Sequence, residues 1–102
     1  MIKFEVKDTV YEDIANIEDY LHDNAHSYIF ELRDKIKKCY STIKEYPLIG
    51  TEVKSYELQN FRWLLVDKYY IFYTYENNTV TIETIIHASR NYKQVLENIL
   101  PE

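Results

Sequence analysis

Residues 61–92, FRWLLVDKYYIFYTYENNTVTIETIIHASRNY, decide the fold. Phe61, Trp63 and Leu65 fall on one side of an extended chain, and Arg62, Leu64 and Val66 on the other. This period of two marks a strand. Asp67-Lys68 reads as a tight turn into a second strand, Tyr69–Tyr75. Asn77-Asn78 supplies the next turn, since asparagine tolerates left-handed dihedrals at little cost. Val80, Ile82, Thr84 and Ile86 then alternate with Thr81, Glu83, Ile85 and His87. Consecutive strands joined by such turns make an antiparallel meander. The stretch closes on His87, Ser89, Arg90 and Tyr92, the tightest group of chemically capable side chains in the chain.

Upstream, residues 2–7 put Ile2, Phe4 and Val6 opposite Lys3, Glu5 and Lys7, another half-buried strand. It must join the meander sheet, because alone it would not be stable. Its position in that sheet is left open. Asp8 or Thr9 is placed to cap a helix, with Thr9 and Glu12 at capping-box spacing. Val10, Ile14, Ile17 and Leu21 form its apolar stripe under an acidic outer face. His22, Asn24 and His26 mark a break. A second helix runs to about Tyr46, with Ile29, Leu32, Ile36, Cys39 or Tyr40, and Ile43 on its stripe. The short connection makes the two helices an antiparallel hairpin laid on the sheet. Pro47 stops the second helix, and Gly50, the only glycine, is expected in a turn that needs unusual dihedrals. Residues 51–60 are weakly patterned, with Val53 to Tyr56 either an edge strand or a loop. After His87, the stripe Tyr92, Val95, Leu96 and Ile99 predicts a short C-terminal helix. The expected fold class is α+β: an antiparallel sheet covered on one face by an N-terminal helical hairpin, with a short C-terminal helix.

Length and composition set the class. A chain of 102 residues, 46% hydrophobic and 28% charged, is read as one globular domain over residues 1–102. The eleven tyrosines suit half-buried sheet faces and also macromolecular interfaces. A net charge of -5 argues against a general nucleic-acid coat protein without excluding a local basic site. Cys39 is the only cysteine, which excludes an intrachain disulfide and a cysteine-based zinc cluster. His22 and His26 are four apart but lack a third ligand, so no metal and no cofactor are expected. The N-terminus lacks the apolar core of a signal peptide, and no apolar run is long enough to span a bilayer, so a cytoplasmic protein is expected.

Glu45-Tyr46-Pro47 followed by Gly50, Phe61-Arg62 leading to Ile71-Phe72-Tyr73, and Ile85 to Tyr92 stand in a distinctive order. With the element layout, this order resembles the RelE/ParE superfamily of bacterial type II toxin–antitoxin toxins. The resemblance covers nearly the whole chain. It implies one of two activities. RelE-like members are ribosome-dependent mRNA endoribonucleases (mRNA interferases) that inhibit translation, usually without a metal. ParE-like members poison DNA gyrase and cut no RNA. In both, a cognate antitoxin wraps the toxin in a hetero-oligomeric complex.

Metal-free RNA cleavage needs a group to take the 2′-OH proton, a group to protonate the leaving oxygen, and a cation to hold charge on phosphorus. Histidine suits either proton step and arginine suits the phosphate. His87, Arg90 and Arg62 fit these roles by type, and Tyr92 could stack on a base or donate a proton. Lys54, Lys68 and Lys93 are candidates for phosphate attraction. Each has a structural alternative. His87 could be a strand-end histidine bonded to backbone, Arg62 could pair with Glu83, Arg90 could clamp the C-terminal bend, and Tyr92 could open the apolar stripe of the last helix. Ribosome-dependent RNA cleavage is the first expectation. The acidic balance favours gyrase poisoning, or an inactive protein-binding relative.

Overall fold

The computed structural model describes residues 2–53 and 60–90. In order they form β1 (Lys3–Val6), α1 (Asp8–Asn24), α2 (Tyr28–Glu45), β2 (Thr51–Glu52), β3 (Phe61–Val66), β4 (Tyr69–Glu76) and β5 (Thr79–His87). The expected C-terminal helix lies outside the described residues, as do Lys54, Tyr92 and Lys93.

The meander forms as read, with β3, β4 and β5 paired antiparallel in sequence order. Asp67 takes a φ of 53° in the first turn, and Asn77 and Asn78 take 51° and 59° in the second, the left-handed values that let such turns follow strand twist. The sheet order is β1-β5-β4-β3-β2. The expectation of an antiparallel sheet needs one correction: β1 pairs parallel to β5, so the sheet is mixed. Two helices between β1 and the meander provide the long crossover that a parallel pair needs.

α1 and α2 cover one face. Val10, Leu21, Ile29, Leu32, Ile36, Cys39 and Ile43 from the helices are buried with Val66, Tyr69, Ile71, Tyr73, Val80, Ile82 and Ile85 from the strands. On the opposite face Phe72 and Ile86 are buried among Val53, Phe61, Trp63 and Tyr70. β1 pairs with β5 only as far as Val6 opposite Ile82. Beyond it, Asp13 of α1 accepts from the Ile85 amide at 3.4 Å and the Thr84 hydroxyl at 3.1 Å, so a helix side chain covers the bare strand edge. A register shift between Phe72 and Tyr73 marks a β-bulge in the same region. Glu83, buried there, takes an ion pair from Lys7 and a hydrogen bond from Thr74 at 2.9 Å.

Two smaller expectations change. Helix α1 begins at Asp8 after Lys7, with no side-chain cap, so the Thr9–Glu12 capping box is not made. Gly50 has no positive φ, and space is its reason instead. A Cβ there would lie 2.6 Å from the Tyr73 hydroxyl, 2.7 Å from its Cε1 and 3.0 Å from the Arg62 Cβ. That proximity lets the Gly50 amide donate to the Tyr73 hydroxyl at 2.8 Å, while the hydroxyl donates to the Pro47 carbonyl at 2.8 Å.

The helices are tied together and to the sheet by charge. Arg33 holds Glu18 through both its Nε, at 2.5 Å, and a terminal nitrogen, at 3.0 Å. Asp67, in the β3–β4 turn, accepts from the Tyr28 hydroxyl and from Lys35 at 3.0 Å. Tyr28 and then Lys35 hold the Asp67 carboxyl below its usual range. The Tyr28 phenol is pushed up, first by burial and then by Asp67.

Two outcomes are expected. Gly50→Ala should destabilise the fold by about 1–3 kcal/mol in urea denaturation, because the close approach to Tyr73 leaves no room for a methyl. The lowered Asp67 carboxyl adds stability that is full above the unfolded aspartate value of about 3.9 and is lost as pH falls through its lower folded value. Acid titration of unfolding in Asp67→Asn should lack that part of the pH dependence.

Candidate functional site

Of the seven candidate residues, Lys54, Tyr92 and Lys93 lie outside the described residues; the structure brings His87, Lys68 and Arg90 to one end of the sheet and leaves Arg62 apart from them. His87 ends β5 opposite Tyr69, whose ring it meets edge-on at 5.2 Å. The chain then turns: the Arg90 amide donates to the His87 carbonyl at 3.0 Å. The Ala88 amide donates to the Lys68 carbonyl at 2.7 Å, which fastens this turn to the β3–β4 hairpin. The result is one group at one end of the sheet. His87 is half-buried, while Lys68, Ser89 and Arg90 are exposed.

The imidazole is already engaged. Its Nδ1 accepts from the Ser89 amide at 3.0 Å and lies 2.7 Å from the Ser89 hydroxyl oxygen. A lone pair used this way leaves the neutral ring's proton on Nε2, by geometric assignment. The outward nitrogen is then a donor. It is suited to hold a phosphate or carboxylate oxygen, and poorly suited to accept the 2′-OH proton as a base.

Arg62 is elsewhere. It pairs with Tyr73 of β4, whereas His87 pairs with Tyr69. The four-residue offset along β4 is roughly 13 Å at about 3.3 Å per residue. Its guanidinium donates through one nitrogen to the Leu48 carbonyl at 3.2 Å and the Gly50 carbonyl at 2.9 Å. The expected alternative partner, Glu83, is held by Lys7 and Thr74. Arg62 therefore braces the turn after α2 together with Tyr73.

Sequence reasoning missed Tyr73. Nothing in its alternation distinguishes it from the neighbouring tyrosines of β4, yet it is fully buried with its hydroxyl bonded on both sides. The lone glycine was the available signal, since an unpatterned segment with one glycine often marks a close backbone approach. Among the described residues no group of three or more histidine, cysteine, aspartate or glutamate side chains is placed to hold a metal ion. Among them too, no helix is long and apolar enough to cross a membrane.

Charge is distributed unevenly over the helices. α1 carries Asp8, Glu12, Asp13, Glu18, Asp19 and Asp23 and no lysine or arginine. α2 carries Arg33, Lys35, Lys37, Lys38 and Lys44 against Glu31, Asp34 and Glu45.

The sequence matches the family described as ParE toxin of type II toxin-antitoxin system, parDE, over residues 4–92. The chain belongs to that family. This ParE-family toxin also has the fold of the chromosomal ParDE system from P. aeruginosa, with a TM-score of 0.71 at 13% identity over 85% of this chain and 96% of that one. The YoeB–YefM complex from Staphylococcus aureus superposes with a TM-score of 0.53 at 15% identity, covering 85% of this chain and 97% of that one. The RelB–RelE antitoxin–toxin complex from Methanococcus jannaschii does so with a TM-score of 0.52 at 14% identity, covering 93% and 98%. At such identities the likeness is one of fold. No curated protein sequence matches. The toxin is thus the toxin component of a RelE/ParE-type system, built on the α+β architecture expected from its sequence.

The brace predicts a clear split between the two arginines. Arg62→Ala should cost about 2 kcal/mol of stability, since two carbonyls lose a charged donor. Arg90→Ala, at an exposed turn, should stay within about 0.5 kcal/mol of the parent. Parallel urea melts of the two variants test this.

Proposed function

We propose that this ParE-family toxin acts by binding a protein target, DNA gyrase, without cutting RNA, and that a cognate antitoxin neutralises it. The observation that carries the reading is Arg62. Its guanidinium is spent on the Leu48 and Gly50 carbonyls, far along the sheet from His87, so the described residues do not assemble a proton-transfer group with a strand arginine on one phosphate. The engaged Nδ1 of His87 supports it, because the outward nitrogen is a donor. The acidic balance supports it too, since a protein working on RNA phosphates gains from net positive charge. Gyrase as the target comes from the resemblance to ParE-like members and from the ParE family match.

The second reading is the ribosome-dependent, metal-free mRNA endoribonuclease that inhibits translation. One observation favours it: His87, Lys68 and Arg90 share one end of the sheet, an imidazole beside two cations. Tyr92, Lys54 and Lys93, the other candidates for that reading, lie outside the described residues.

The two separate in one experiment. Purified toxin should block gyrase supercoiling and accumulate cleaved plasmid, while RNA ends mapped in cells expressing it alone stay unchanged. His87→Ala should keep the gyrase effect. Codon-phased cuts that vanish in His87→Ala or Arg90→Ala, with supercoiling unaffected by excess toxin, would establish the nuclease instead.

A further inference from the structure

The break between the two helices carries a histidine pair that neither the core nor the proposed target uses. His22 lies in the last turn of α1, and His26 follows just past its end. The Ala25 amide still donates to the Leu21 carbonyl at 2.6 Å, so the chain keeps its helical path up to the break. Ala25 then leaves that path, at φ -159° and ψ 59°. Beyond it, the Tyr28 amide donates to the Ala25 carbonyl at 3.0 Å and the Ile29 amide to the His26 carbonyl at 3.2 Å. Both histidines therefore stand on backbone that is hydrogen-bonded around them, and both are exposed.

Side chains four apart are neighbours on a helix surface, and here the two rings come together. Their centres are 4.9 Å apart, with the planes nearly perpendicular at 86°. Two imidazoles on one tetrahedral ion, each at a bond length of about 2.0–2.1 Å, place their ring centres roughly 5 Å apart. The observed spacing is that of a shared ligand pair. The inner nitrogen of His22 is also provided for. Its Nδ1 lies 3.6 Å from the Asp23 carboxylate, a neighbour that favours the proton on Nδ1 and leaves the Nε2 lone pair for an ion. Local charge has the matching sign. α1 brings Asp19 and Asp23 to this end and carries no lysine or arginine, and its terminal carbonyls add the negative end of the helix dipole. Among the described residues no third histidine, cysteine or carboxylate joins the pair in a metal-holding group. The chain thus supplies two ligands and leaves the other positions to water.

We propose that His22 and His26 form a binding site for one divalent transition-metal ion, of the zinc, nickel or copper(II) class, at the turn of the helical hairpin. Imidazole nitrogen selects these ions over magnesium and calcium, which take oxygen ligands. The ion is held by one nitrogen of each ring, Nε2 in the case of His22. Asp23 is a positioning residue: it orients the His22 ring and does not touch the ion. Binding ties the last turn of α1 to the residue that leads into α2. It stabilises the folded chain over the unfolded one, in which the two rings move independently. The site stands apart from the choice between gyrase and RNA.

The test uses the full chain without an affinity tag. Zinc titrated in a calorimeter should bind at one ion per chain, with nickel and copper(II) competing for the same place and magnesium not. In NMR spectra the ring signals of His22 and His26 should move together on adding zinc, while those of His87 stay. His22→Ala and His26→Ala, both at exposed positions, should each weaken zinc binding by at least about tenfold. Asp23→Asn should weaken it less, and should alter the zinc-bound ring signal of His22 and not that of His26. Zinc should raise the unfolding temperature of the parent and of neither histidine variant. Zinc affinity that survives unchanged in both histidine variants overturns the proposal, and so do ring signals that move for only one of the pair. One ion per two chains, with a zinc-dependent dimer in sedimentation, overturns the single-chain site, since a second copy would then fill the open positions. An unaltered His22 signal in Asp23→Asn overturns the role given to Asp23.

Discussion

Much of this structure depends on one buried hydroxyl. Tyr73 sits fully buried on the central strand β4 and joins the Pro47 carbonyl to the Gly50 amide through its phenol oxygen. Arg62 holds the Leu48 and Gly50 carbonyls from the neighbouring strand. At the buried Gly50, backbone groups without such partners would be left unsatisfied at a cost of about 1–3 kcal/mol each. Met here, those groups become the clasp between the end of α2 and the sheet. The clasp also decides where the sheet stops. By drawing the chain below the edge after Pro47, it shortens β2 to two residues and leaves Leu65 facing outward.

The ends of the sheet consequently differ in character. At the clasp end, an arginine and a tyrosine of suggestive chemical type are consumed by architecture. At the other end, the turn after β5 is fastened to the β3–β4 hairpin through the Lys68 carbonyl, and His87, Lys68 and Arg90 gather there. The helices add a second asymmetry. α1 is wholly acidic in its charged residues, while α2 is mixed and lends a lysine to Asp67. A net charge of -5 therefore conceals an uneven distribution, which whole-chain charge cannot reveal.

Most of the fold was legible in the sequence because it is written in short-range patterns. The alternation in 61–87, the asparagine turn and the threes-and-fours spacing of Val10 to Leu21 and Ile29 to Ile43 each depend on neighbours a few residues away. Cys39, one of the two residues the spacing offered for that stripe, is buried, with its thiol pushed up to about 11 by loss of water. The helix cap was read less well: capping-box residues were present at Thr9 and Glu12, but the helix starts at Asp8 and does not use them. Gly50 was read as a residue of unusual dihedrals, the commoner use of glycine, and it proved to be a residue of missing volume.

The sequence by itself determined β1, the two helices, the meander, the helix-covered face and the family, because alternation, helical spacing and turn chemistry act within one element or between adjacent ones. Only the tertiary structure decided that β1 lies parallel beside β5, that Arg62 and His87 stand apart, and that Tyr73 needs the lone glycine. Each of these is a contact between residues distant in sequence, set by which surfaces pack and which polar groups must be satisfied. The type of a side chain gives what it is able to do. Its partners, here two carbonyls for Arg62 and an amide for His87, decide what remains free to act.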